Sequence, residues 1–309
     1  MDQVKPRKAS PEAYSGGTHE SLALDLTPDV TEEEELSIGV PLSRAGSRAP
    51  QPAPSTGRQG VDLSNRPKAW FMIGRGRTGK TLLLRWLIEQ QASTADTKFV
   101  LADMDRTNAT LSSYVSGVQR PPDGDEDVAA QWLEKLLAWA MRQKASVAID
   151  LGGGDTTLRR LVSEIPDLAE RLDAEGIAPV GAYLVGPPVD DLSPHSALEA
   201  GGFRPWATAL VLNEGLIEPG LTREDAFARV MRHSAFNAAV TRGAVPIWMP
   251  RLIPAGAIEA RRIQFGQARD GIVREGSRQT PLGPFDRSRV GHWLADMDAE
   301  FRAVRSWML

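Results

Sequence analysis

The chain has 309 residues, 41% of them hydrophobic and 25% charged, with a formal net charge of −4 and no cysteine. The lack of cysteine excludes disulfide scaffolds, thiolate zinc sites and cysteine nucleophiles. No apolar run reaches the roughly 18 residues of a membrane-spanning helix, and Met1 to Glu20 lacks a signal-peptide core. A cytoplasmic protein is expected, and in a mildly acidic chain any nucleic-acid contact must come from a local basic patch.

Residues 1–66 are rich in Pro, Ser, Gly and charge and carry the acidic run Glu32 to Glu35. Such a composition cannot offset its ordering entropy, so a disordered N-terminal tail is expected over 1–66. Inside it, Ser21 to Leu26 and the Thr31/Glu34 capping pattern before Leu36 describe a transient helix or a segment that folds on a protein partner.

From Lys68 onward, short apolar runs alternate with helical periods. The runs are Ala69–Ile73, Phe99–Ala102, Val147–Ile149, Val180–Val185, Ala207–Leu212 and Val245–Trp248. Val128, Trp132, Leu136, Trp139 and Ala140 share one helical face, and Thr222 with Asp225 caps another helix. The terminal stretch from Val290 through Trp293, Met297, Phe301, Val304 and Met308 keeps the helical period and reads as core rather than as a membrane anchor. The pattern predicts an α/β domain over 67–309 with a doubly wound, mainly parallel sheet covered on both faces.

The first run leads into Gly74-Arg75-Gly76-Arg77-Thr78-Gly79-Lys80-Thr81 and then a helical stretch, which is the Walker A pattern in its strand–loop–helix setting. Glycines let backbone N–H groups approach phosphate, and the helix N-terminus adds a favourable field. Lys80 would reach the β- and γ-phosphates, and the Thr81 hydroxyl would face Mg²⁺. Gly74, Gly76 and Gly79 also spell the Rossmann G-x-G-x-x-G, with Asp103 and Asp105 closing the next strand. Lys80-Thr81, which a dinucleotide site does not need there, favours the P-loop reading.

Two strand ends carry carboxylates. Phe99 to Asp105 finishes in Asp103-Met104-Asp105, and Ser146 to Asp150 runs into a glycine turn, as a Walker B strand does. Taken alone, Asp103 and Asp155 can equally be turn or helix-cap carboxylates.

This ordered set, from about Lys68 to Ile253, resembles the ParA/MinD family of deviant Walker ATPases. The resemblance implies a P-loop NTPase fold, ATP and Mg²⁺ as cofactors, and an ATP-dependent homodimer serving plasmid maintenance, partition or conjugal transfer. It implies that the loop Gly74, Gly76, Arg77, Thr78, Gly79, Lys80 and Thr81 binds the phosphates. Asp105 would position the attacking water, Asp103 and Asp150 with Thr81 would hold the metal, and Asn213 would touch adenine. The family's dimer-crossing lysine corresponds to Arg75 and its second loop glycine to Arg77. No N-K-x-D guanine signature occurs at Asn213-Glu214-Gly215.

The stretch Arg251 to Arg289 is locally basic and reads either as a DNA face or as a solvated helix surface. The four histidines lack metal spacing. Two rivals to the switch reading stand. One is a metabolic P-loop enzyme, a small-molecule kinase or ligase, with Gly186 to Asp191 in its pocket. The other is a non-hydrolysing adaptor that binds partners through residues 1–66.

Overall fold

The computed structural model describes residues 61–91, 99–105, 111–154, 156–273 and 276–308. The Thr31/Glu34 capping pattern, most of the 1–66 segment, Asp155 and Arg274 lie outside them.

In chain order the elements are β1 Lys68–Ile73, α1 Lys80–Gln91, β2 Phe99–Asp103, α2 Glu126–Gln143, β3 Ser146–Asp150, α3 Thr157–Glu164, α4 Leu168–Ala174 and β4 Ala178–Val185. There follow α5 Ser193–Gly201, β5 Ala207–Asn213, α6 Arg223–Arg232, α7 Ser234–Thr241, β6 Val245–Met249, α8 Ala255–Arg261, α9 Phe265–Asp270 and α10 Pro284–Glu300. Among the described residues six strands form one parallel sheet in the order β2-β3-β1-β4-β5-β6. The six apolar runs of the sequence are these six strands, because a parallel strand covered on both faces needs apolar side chains on both. The fold is α/β, a doubly wound parallel sheet with helices on both faces.

Side chains alternate across the sheet. Trp70, Met72, Val180, Ala182, Ala209, Val211 and Ile247 join one core with α1, α9 and α10. Ala69, Phe71 and Ile73 point to the other layer, where Phe71 meets Phe203 edge-on at 5.1 Å and α3 packs against α2 and α5. The helix that leaves β1 thus lies on one face and the helices that leave its neighbours β3 and β4 lie on the other, which opens a crevice at the carboxyl ends of the strands around β1. That is the position of the Walker loop.

Two features of the first core were not legible in the pattern. Arg85 is buried in α1, donates to the Ile263 carbonyl at 3.0 Å and lies 3.8 Å over the Tyr114 ring. One turn on, the Glu89 carboxylate accepts from the Phe265 and Gly266 N–H groups at 2.8 and 3.1 Å. Together they fasten the helix that starts with Lys80. The terminal stretch is not one α-helix either. It turns into a 3-10 segment over Phe301–Trp307 with a break at Val304, so Trp307 is buried and Met308 is not fully so.

Residues just before β1 pack against this end. Leu63 is 2% exposed, and its N–H donates to Ser306 Oγ at 3.3 Å. Trp307 Nε1 donates to the Val61 carbonyl at 2.9 Å, and Trp70 Nε1 to the Trp307 carbonyl at 2.7 Å. The composition-based boundary at residue 66 thus has a core side chain three residues before it.

Candidate functional site

The Walker loop is shaped by backbone conformations that its residues accept unequally. Gly79 has φ +99°, and a Cβ there would stand 2.6 Å from Asn213 Nδ2 and 2.8 Å from Met249 Cε, so no side chain fits. Arg77 has φ +66°, in the left-handed region where a non-glycine residue pays about 1–2 kcal/mol. The resemblance puts glycine at that position; this chain accepts the strain. A Cβ at Gly76 would meet nothing within 4 Å, so the loop itself does not require that glycine.

Lys80, 7% exposed, donates from Nζ to the Gly74 and Arg75 carbonyls at 3.0 Å each. Thr78 Oγ1 donates to the Arg75 carbonyl at 2.8 Å. The ammonium is thereby held inside the curve of the loop, where a phosphate cradled by the loop amides would meet it.

Two of the strand-end carboxylates come together. Asp103 and Asp150 are register partners at the ends of β2 and β3. Thr81 Oγ1, in the first turn of α1, donates to Asp150 Oδ2 at 2.8 Å. Asp103 Oδ1 accepts the Asp105 N–H at 3.0 Å, which makes it a turn carboxylate on that side. Its Oδ2 is buried and has no hydrogen-bond partner. Burial pushes the Asp150 carboxyl from 3.8 up to about 6, with Asp103 and Asp105 adding to the rise and Thr81 and Lys80 opposing it. Burial likewise raises Asp103. Two buried carboxylates, one with an orphaned oxygen, beside a threonine hydroxyl form a donor set that a hard divalent cation would stabilise. The residues therefore fit Mg²⁺. Among the described residues no three acidic or histidine side chains converge to cage a metal unaided, so phosphate oxygens or water would complete its shell.

Asp105 sits over the loop that follows β3. A Cβ at Gly152 would lie 3.3 Å from Asp105 Cα, and one at Gly153 would lie 2.3 Å from Gly76 Cα. Gly153 is thus required by its close approach to the phosphate-loop backbone, whereas Gly152 faces Asp105 and Gly154 has open space around it.

Asn213 is 5% exposed and reaches the loop from β5. Its Nδ2 donates to the Thr78 carbonyl at 2.8 Å, and its Oδ1 accepts the Gly215 N–H at 2.8 Å. The side chain expected to touch adenine braces the phosphate loop and caps the turn after β5. Arg75, expected to reach a second subunit, points toward Asp191 and Asp190, with Nη1 3.5 and 3.9 Å from their carboxylate oxygens. The Gly186 to Asp191 segment, expected to line a substrate pocket of the rival metabolic enzyme, instead brings its two aspartates to Arg75. Nothing in the spacing links positions 116 residues apart.

The basic stretch is largely engaged within the chain. Arg251 donates to the Glu214 and Ile217 carbonyls, Arg261 to those of Ala257 and Thr280, and Arg287 to that of Arg269. Arg269 pairs with Asp270 and Arg289 with Asp286. A cavity of about 530 Å³ beside Arg269, Arg287 and His292, and one of about 360 Å³ beside Glu214, Arg223 and Arg251, both lie off the phosphate loop. Among the described residues no helix is long and apolar enough to cross a membrane.

No family model and no curated protein matches the chain. Among solved structures it is similar to the signal recognition particle receptor FtsY from Elizabethkingia anophelis, at 14% identity over 77% of this chain and 68% of that one, with a TM-score of 0.39. It is also similar to the MinD cell division protein of Aquifex aeolicus, at 13% identity over 74% of this chain and 97% of that one, with a TM-score of 0.39.

Proposed function

We propose that the chain is a Mg²⁺-dependent ATP-binding switch of the ParA/MinD kind, slow in hydrolysis, that dimerises with ATP in plasmid maintenance, partition or transfer. The observation that carries the nucleotide reading is the convergence of Lys80, Thr81, Asp103 and Asp150 on one loop at the crevice beside β1. Lys80 supplies charge to the phosphates, the loop amides orient them, and Thr81 with Asp150 would seat the cation. Bound Mg²⁺ would neutralise charge on the β- and γ-phosphates. Asp105, close against Gly152 of the loop after β3, would position the water. ATP is preferred to GTP because the strand-end asparagine is followed by Glu214-Gly215 rather than a guanine-reading signature.

Calorimetry with ATP and GTP on the parent protein, Lys80→Ala and Asp105→Ala tests this reading. Lys80→Ala should lose nucleotide binding while melting like the parent. Asp105→Ala should keep affinity within a few-fold and lose turnover, because a water-positioning group acts in the transition state. Unchanged ATP affinity in Lys80→Ala removes the phosphate-loop assignment, and tighter binding of GTP removes the base assignment.

A further inference from the structure

Asp105 is held through its backbone on several sides. Its N–H donates to Asp103 Oδ1 at 3.0 Å, and its Cα lies close against Gly152. Its carbonyl accepts from Arg120 Nη2 at 2.8 Å. The first two contacts come from the strand ends that carry the metal set. The third comes from a residue 15 positions further on, to which the reading above gives no part.

The fold delivers Arg120 to that carbonyl. Gln119, just before it, forms a parallel bridge with Ala102 at the end of β2. The Gln119 N–H donates to the Leu101 carbonyl at 2.8 Å, and the Asp103 N–H donates to the Gln119 carbonyl at 2.9 Å. Pro121 and Pro122 follow, and a residue before proline is confined to extended backbone. Arg120 therefore leaves the edge of the sheet level with Asp103, and its guanidinium crosses to Asp105. A hydrogen bond from a charged donor is about twice as strong as a neutral one, and the planar guanidinium fixes its direction. Arg120 is itself exposed, so its side chain adds little to the core.

We propose that Arg120 is a positioning residue: by holding the Asp105 carbonyl it fixes the carboxylate that aims water at the terminal phosphate of a bound nucleoside triphosphate. The proposal rests on the reading of Asp105 as the water-positioning group. Arg120 acts on the backbone from which that carboxylate projects and exchanges no proton with it. Its contribution falls on the transition state, because Lys80 and the loop amides hold the phosphates without it.

Turnover of Mg²⁺–ATP, affinity for a slowly hydrolysed ATP analogue, and amide exchange of the nucleotide-free protein test this on the full chain. Arg120→Ala should lower kcat about ten-fold, the loss expected of one charge-assisted hydrogen bond at an exposed site. Affinity for the analogue should stay within about two-fold of the parent, and melting should be unchanged. Arg120→Lys keeps the charge and a donor, and should recover about a third or more of the parent kcat. Without nucleotide, the peptide carrying Met104 and Asp105 should exchange several-fold faster in Arg120→Ala and near the parent rate in Arg120→Lys. In an Asp105→Ala background, Arg120→Ala should have no further effect on residual turnover. Should Arg120→Ala melt well below the parent, Arg120→Gln carries the same comparisons. An unchanged kcat in Arg120→Ala beside a loss of turnover in Asp105→Ala overturns the proposal and leaves the Asp105 reading standing. So does a loss that appears in affinity rather than kcat, an unchanged exchange rate, no recovery in Arg120→Lys, or a further loss in the Asp105→Ala background. A parent protein whose turnover survives Asp105→Ala, or one that hydrolyses no nucleotide, overturns both readings.

Discussion

At neutral pH, Asp150 sets the nucleotide-free stability of the site against its use. Burial is the main cause that moves its carboxyl from 3.8 to about 6. The folded pKa lies above the unfolded one, so the folded protein holds this proton more tightly. The Asp150 contribution to stability is therefore most favourable in acid and is lost as pH rises from about 4 to about 6. Above that window the folded protein carries a deficit of about 3 kcal/mol, at 1.36 kcal/mol per pKa unit. Asp150→Asn removes the charge and keeps an oxygen for Thr81. Its new N–H groups need partners, which returns about 1–2 kcal/mol of the gain. The nucleotide-free variant should then be more stable than the parent by about 1–2 kcal/mol at pH 7.5, or about 2–8 °C in Tm for a domain of this size. That advantage should vanish at pH 5. Saturating Mg²⁺–ATP, worth about 2.7 kcal/mol at a hundred times Kd, should raise the Tm of the parent and leave the variant nearly unmoved. Thermal melts at both pH values, with and without nucleotide, decide it. A variant that melts below the parent at pH 7.5 would refute the idea that this carboxylate is held at a cost.

Two further outcomes concern the scaffold. Leu63→Ala should cost about 2–4 kcal/mol in denaturant unfolding, since Leu63 is 2% exposed and its neighbours are held by hydrogen bonds to Ser306 and Trp307; a variant that unfolds with the parent would place Leu63 outside the core. Burial lowers the His195 pKa; Glu199 opposes this, Arg242 adds to it, and the Tyr183 ring packs edge-on at 4.7 Å. Both His195 nitrogens are buried without hydrogen bonds, so the folded protein favours the neutral ring. Stability should be full above pH 6.5 and fall as pH drops toward the lowered folded pKa, and His195→Phe should flatten that acid limb. An unchanged limb in the variant would show that another group titrates there.

The sheet was legible because a parallel strand writes its double burial directly into sequence, and the Walker loop because its glycines and Lys80-Thr81 are consecutive. The ends of β2 and β3 were legible for the same local reason. Strand order was not, since no residue of β3 announces that it lies between β2 and β1. Leu63 was hidden by the polar composition around it. Asn213 shows a subtler limit: its strand-end position was readable, but the bonds to Thr78 and Gly215 depend on how β5 and the loop meet across the sheet. The arginines of the basic stretch had the same fate, counted correctly as charges yet spent on carbonyls and carboxylates that only folding brings near.

The contact of Gly153 with Gly76 has a mechanical consequence. Two backbones that already touch, with no side chain between them, cannot move closer unless one displaces the other. Gly76 belongs to the loop that would close on phosphate, and Gly153 lies four residues before the start of α3. A movement of the loop against Gly153 is therefore transmitted to α3 and, through its packing, to α2 and α5. These helices lie on the opposite face of the sheet from α1, which the loop enters directly. One displacement at the phosphate end of β1 thus has two outlets, one on each side of the sheet, and a partner docked on either layer could read it.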